Sequence, residues 1–326
     1  MEKNIETLKL TPESFRPVKK DTDKEKITRP TIGYWSDVFR RLRQNKLAML
    51  GIFIIIALLI MAFVGPKFTN VDYAEQNFLK INSIPDDENW FGTDELGRDL
   101  FTRVCYGIRY SLLIGILAAA FDFIIGVTYG GIAGMASPRV DSIMMRIAEI
   151  IYAIPYMLIV ILISVTFSSQ QGASLLTLVI AMSITGWVPM ALLVRGQVLQ
   201  LKQSEYALAS RSLGASPSYI LRKHILPNTL GPILVNLTLT IPRAIFSEAT
   251  LSFLSLGLQP PQPSLGVLAN DGLAVMGIDL YYQIFYPALI ISLIMFAFNV
   301  LGDGLRDALD PRPVSYTHLT LPTICS

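Results

Sequence analysis

Charge is scarce in this chain. Its 326 residues include 27 Lys and Arg and 25 Asp and Glu, so 16% are charged, where a soluble domain carries about a quarter. Histidine and cysteine are scarcer still, with two of each. That inventory is too small for a disulfide framework or a structural zinc site. A net charge of +2 leaves no electrostatic footprint for nucleic acid. No G-x-x-x-x-G-K-S/T segment is present, so the chain does not itself cradle nucleotide phosphates. Internal repeats are also missing.

What the chain has in excess is apolar length. Hydrophobic residues make up 52% of it, gathered into runs as long as a bilayer is thick. The first, Leu47 to Val64, would rise about 27 Å as a helix. It follows the polar segment 1–46 and so is not a cleavable signal, whose apolar core lies near the start. Five more runs follow: Tyr110–Gly134, Ile147–Phe167, Ser174–Val194, Leu230–Leu256 and Ile284–Leu301. The expected fold is an all-α membrane protein with six spans and both termini on one side.

Basic residues choose that side. The N-terminal segment, the loops around Arg139 and 195–223, and the C-terminal end together hold 21 Lys and Arg. The opposite side has five, namely Lys67, Lys80, Arg98, Arg103 and Arg109. The positive-inside rule then makes both termini cytoplasmic and segment 65–109 extracytoplasmic.

Three ionisable residues fall inside apolar runs: Asp122, Arg243 and Glu248. A charge at mid-span costs about 2.5–3.5 kcal/mol on insertion scales, so each should face a partner or a wet cavity. A structural role and a place on a translocation pathway are both open. Glu248 is five positions from Arg243, a poor spacing for a same-face pair, which favours partners on other helices. Gly126, Gly130 and Gly134 form a small-residue stripe that lets helix backbones approach. Pro155, Pro189 and Pro242 each remove a helical hydrogen bond and can bend a span.

Two loops carry patterned polar residues. In Trp90–Arg103, Thr93 is an N-cap candidate, and the spacings Asp94–Arg98 and Asp99–Arg103 suit one helical face. A short, solvated, charged helix is expected there. In 203–228, Ser204 precedes helix-forming EYALASRSL, Gly214 suits a left-handed C-terminal residue, and Ser216-Pro217 opens a second helix ending before Pro227. Each piece is too short to stand alone in water and needs a surface to dock on.

This elbow resembles the signature loop of permease subunits in ATP-binding-cassette (ABC) importers, written Glu-Ala-Ala, three residues, Gly, nine residues, Ile-x-Leu-Pro. Gly214, Leu226 and Pro227 match in register, with His224 at the isoleucine. Leu208, followed by Ala209 and Ser210, replaces the hallmark acid, and Glu205-Tyr206 stands one turn earlier. Three further stretches are similar to the C-type subunit of dipeptide, oligopeptide and nickel importers. They are FGTDELGRD (including Gly92, Thr93, Asp94, Gly97, Arg98 and Asp99), SEATLSFLSLGLQPPQPS from Ser247, and FNVLGDGLRDALDPR from Phe298.

The resemblance covers roughly Arg40 to Arg312. It implies the type I ABC importer permease fold in a prokaryotic inner membrane, with core 110–302 and a cytoplasmic end at 303–313. It further implies a homologous second permease subunit, two cytoplasmic ATPases that use ATP, and an extracytoplasmic substrate-binding protein. No cofactor is expected on this chain. Short peptides are the expected cargo, with nickel or another small solute second.

Two other classes compete less well. A proton-coupled secondary transporter usually carries internal repeats. An intramembrane hydrolase needs a base, and His224 is the single histidine before residue 314. From Val314 the sequence VSYTHLTLPTICS changes character and resembles the translation of a transposon end used in sequencing libraries. The native chain is therefore expected to stop near Pro313, with 314–326 a foreign tail.

Overall fold

The computed structural model describes residues 33–167, 175–259, 261–276 and 280–309; the tail 314–326 lies outside them. Helices α1 (Tyr34–Gln44) and α2 (Lys46–Val64) are separated by a single residue, Asn45. Its side chain accepts from the Ala48 amide at 3.1 Å, starting α2 afresh at a new angle. The α1 helix is amphipathic: Val38 and Leu42 pack beside the chain's last helix, while Trp35 and Phe39 stay exposed. The α2 helix is apolar on every side, as a membrane span is.

A short α3 (Pro66–Thr69) and a 3₁₀ turn at Phe78–Lys80 lead to α4 (Leu100–Met135). This helix starts ten residues before the apolar run at Tyr110. Asp99 caps it, accepting from the Thr102 amide at 2.8 Å. Its 36 residues would extend about 54 Å, more than a hydrocarbon core needs. It therefore joins the loop 65–99 rigidly to the bundle.

The third expected span is broken. The helices α5 (Pro138–Ala153) and α6 (Tyr156–Phe167) meet at 74° around Pro155. Among the described residues five helices are long and apolar enough to cross a membrane singly, six if the bent pair is one broken span. The others are α7 (Leu175–Leu201), α10 (Leu226–Phe253) and α12 (Tyr282–Leu309), with α2 and α4 already named. Between them lie α8 (Glu205–Ser212), α9 (Pro217–Ile220) and α11 (Leu265–Val275). Among the described residues the single β feature is an isolated bridge, Thr93 with Asp99.

The glycine stripe joins α4 to α7. A Cβ at Gly126 would lie 2.6 Å from that of Met190, one at Gly130 would strike the Ala191 backbone, and one at Gly134 would meet Val198. Only glycine permits so close an approach. Dispersion between the two tightly apposed backbones then takes the place of a hydrophobic drive that lipid cannot supply. Polar clasps add to this. Lys202 donates to the Gly134 carbonyl at 2.8 Å near the α4 C-terminus, where a cation suits the helix dipole. Arg195 of α7 holds Asp141 of α5 through two bonds of 2.6 and 2.7 Å.

Candidate functional site

The elbow forms at one end of the bundle. Glu205 opens α8, and Ser204 precedes it in N-cap backbone geometry although its hydroxyl donates to Leu201 rather than capping the helix. Gly214 has φ +83°, the left-handed angle expected for it. Ser216 caps α9, accepting from the Tyr219 amide at 3.3 Å. The second helix does not stop before Pro227. A π turn at Leu221–Ile225 carries the chain into α10, which begins at Leu226. Pro227 comes just after the π turn, so the helix continues through the proline where its missing amide breaks the regular bonding.

This continuity makes the elbow a rigid extension of a span. Ala207, Ile220 and Ile225 are buried with Val194 and Val198 of α7, fixing α8 to the bundle. The opposite face of α8 is open: Glu205, Tyr206, Leu208 and Ala209 are exposed, as are Leu213 and Gly214 beyond it. His224 stands beside two tyrosine rings, 5.8 Å from Tyr219 and 6.5 Å from Tyr206. That aromatic cluster has no spacing signal in the sequence, because Tyr206 and His224 meet only when the elbow folds.

The segment Trp90–Arg103 is not a solvated helix. It is a buried turn followed by the start of α4. Gly92 and Gly97 have φ +75° and +70°, and a Cβ at Gly97 would overlap the Asn77 backbone. Asp94, 2% exposed, is the hub. Its carboxylate accepts the Leu96 and Arg98 amides at 2.9 and 3.0 Å, the Arg98 guanidinium at 2.7 Å, and Arg103. The expected Asp99–Arg103 pair does not form: one Asp99 oxygen caps α4, the other has no partner among the described residues, and Arg103 turns to Asp94 and Asp271. Burial pushes the Asp99 carboxyl above its usual range, against the pull of its Thr102 bonds.

Thr93 is not a helix cap either. Its hydroxyl donates to the Lys80 carbonyl and accepts from the Ser83 amide. Its carbonyl receives Tyr282 and Gln283 of α12, both at 3.1 Å. The glycines and charges of FGTDELGRD thus tie the loop 65–99 to α4, α11 and α12. Farther along the loop, Asp86 lies below the ordinary carboxylate range because the Asn89 amide donates to it.

Inside the bundle the three ionisable residues separate. Glu248 is fully buried and holds elements together, accepting from Ser111 of α4 at 3.0 Å and from Ser252 on its own helix at 2.6 Å. Neither Asp122 nor Arg243 forms an ion pair among the described residues. Both line one cavity of about 290 Å³, with Tyr156, Asn236, Thr240 and Ser247.

A bundle of apolar spans with a broken third crossing, a polar cavity within it and an elbow continuous with one span defines a multi-pass transport permease of the type I importer fold. A solved chain of the MetNI methionine ABC transporter has the same fold, with TM-score 0.52 and 20% identity, covering 64% of this chain and 96% of that one. The chain belongs to the family of binding-protein-dependent transport system inner membrane components, whose model matches residues 126–315. Within it this is a C-type peptide permease, since the N-terminal transmembrane domain of oligopeptide transport permease C matches residues 33–85.

Curated relatives agree. The dipeptide transport system permease protein DppC of Bacillus subtilis is 52% identical over 90% of each chain. The oligopeptide permease protein OppC of the same organism is 50% identical over 89% of this chain and 93% of its own. Escherichia coli OppC is 38% identical over 85% and 91% respectively.

Proposed function

We propose that this chain forms one half of the translocation path of an ATP-driven peptide importer and receives the power stroke through its elbow. Its companions are a homologous second permease subunit, two cytoplasmic ATPases and an extracytoplasmic binding protein. The chain itself carries out no catalysis and binds no nucleotide. ATP-driven closure of the cassettes would move the paired elbows. Because α9 runs into α10 without a break, that displacement reaches the cavity directly, and the spans reorient around it. The single observation that carries this reading is the open face of α8 on an elbow otherwise anchored in the bundle.

The α8 face has a particular character. Leu208 (49% exposed) stands where the signature loop usually carries an acid, so we expect its contact with the ATPase to be more apolar than in relatives. We expect Leu208→Asp to weaken ATPase attachment, whereas an acid-dependent interface would tolerate or gain from it. Gly214→Val should cost at least about 1 kcal/mol at the turn, because a β-branched residue fits a left-handed angle badly. Insertion and pairing with the second permease should survive, while co-purification of the ATPases and substrate-stimulated ATP turnover should fall. Unaltered attachment and turnover in Gly214→Val would remove the elbow from the mechanism. Uptake that persists when ATP is depleted and the proton gradient kept would instead favour a secondary transporter.

A further inference from the structure

We propose that the cavity between α4, α6, α7 and α10 is a binding station for the free α-ammonium group of a peptide in transit, with Asp122 as its acceptor. This rests on the importer reading above and names a subsite within that path. Asp122 is 6% exposed, yet its Oδ1 has no hydrogen-bond partner. A buried carboxylate left unmatched is costly, and natural interiors rarely retain one. Gly186 of α7 is what leaves room for the carboxylate: a Cβ there would lie 2.6 Å from both of its oxygens. The Tyr156 hydroxyl lines the same cavity, buried beside Ser247. Among the described residues nothing donates to the Asp122 Oδ1, although the cavity itself is polar.

The facing wall is a polar stripe. Asn236, Thr240, Arg243 and Ser247 follow one another at steps of four, three and four along α10, which places all four on one helical face. Arg243 is exposed in the middle of an apolar helix, and an arginine is not stable against lipid there. This face is covered by water or protein and lies open to a pathway. Opposite charges stand on opposite walls without pairing, an arrangement suited to a zwitterion threaded between them.

Size and donor chemistry narrow the ligand. About 290 Å³ lies at the small end of ligand clefts, enough for one end of a peptide. The N-terminal ammonium is common to nearly all free peptides, so a station for it is indifferent to sequence. A metal ion fits less well. No group of three or more Asp, Glu, His or Cys suited to a metal occurs among the described residues. One carboxylate and neighbouring hydroxyl oxygens instead match the three N–H donors of an ammonium.

The test is protection of a cavity thiol. Ser247→Cys is introduced into a chain whose other two cysteines, Cys105 and Cys325, are replaced, and the chain is assembled with its companion permease and ATPases in lipid discs. Labelling by a small thiol reagent is timed with trialanine or N-acetyl-trialanine present. Trialanine at about ten times its dissociation constant should slow labelling about tenfold, since protection grows as 1 + [L]/Kd. The acetylated peptide should not, and Asp122→Asn should abolish the difference. Equal protection by both peptides, protection that survives Asp122→Asn, or no protection by trialanine overturns the proposal. Should Asp122→Asn fail to assemble, the two peptides compared on unaltered Asp122 still decide it. ATP-driven peptide uptake by the unsubstituted complex is measured in parallel. Uptake without protection rejects the station and leaves the importer standing, whereas no uptake rejects the importer.

Discussion

At the scale of the residue, the same carboxylate chemistry does three jobs according to its surroundings. Asp94 is buried and saturated with donors, Glu248 is buried between hydroxyls, and Asp122 is buried with an unmatched oxygen. Removing Asp94 strands the guanidinium groups of Arg98 and Arg103, which are 6% and 1% exposed. Breaking such a buried pair costs about 3–5 kcal/mol. Asp37, by contrast, pairs with Arg40 and Arg41 at the surface, and its loss should cost about 1 kcal/mol at most. Thermal unfolding in detergent should therefore separate Asp94→Ala clearly from Asp37→Ala. Equal midpoints would mean that the Gly92–Asp99 turn does not stabilise the fold. The i, i+4 spacing of Asp94 and Arg98 is visible in the sequence and their bond is real, but the helix inferred from it is not. Gly92 and Gly97 are the contrary signal, because two positive φ angles in six residues exclude a helix.

Among elements, the closest union is α4 against α7. Gly130→Leu should force these helices apart at the Ala191 backbone, with an overpacking cost of about 1–3 kcal/mol. Gly196→Leu is the matched control, because nothing lies within 4 Å of a Cβ placed there. The yield of monodisperse protein after membrane extraction should fall for the first and hold for the second. Comparable yields would show that the glycine stripe is not a packing surface. Four-residue spacing makes this stripe legible in advance, since helical geometry alone aligns it. Pro155 is legible as a bend, but its 74° angle is not. The passage through Pro227 is not legible, because a proline in a first turn and a proline beyond a helix end look alike in sequence. The π turn before it distinguishes the two.

For the whole molecule, the basic asymmetry makes a claim about sidedness that is open to a direct measurement. With Cys105 and Cys325 replaced, a membrane-impermeant thiol reagent applied to intact cells should label Asp87→Cys and spare Ser218→Cys. Both positions are exposed in the fold, so burial does not confound the comparison. The reverse pattern would invert the topology and place the elbow where no cytoplasmic ATPase can reach it.

Run length and local backbone chemistry were enough for the class of molecule, the apolar spans and the positive φ of Gly214 in the elbow, because they act within a few residues and need no partner. Tertiary structure alone decided which charges meet. Arg103 chose Asp94 and Asp271 over its expected partner, Glu248 joined Ser111 across 137 positions of chain, and Asp122 came to face the polar stripe of α10. Such pairings depend on helices brought together by glycine contacts and broken spans. In a low-dielectric interior, proximity in space and not in sequence determines what a buried charge costs.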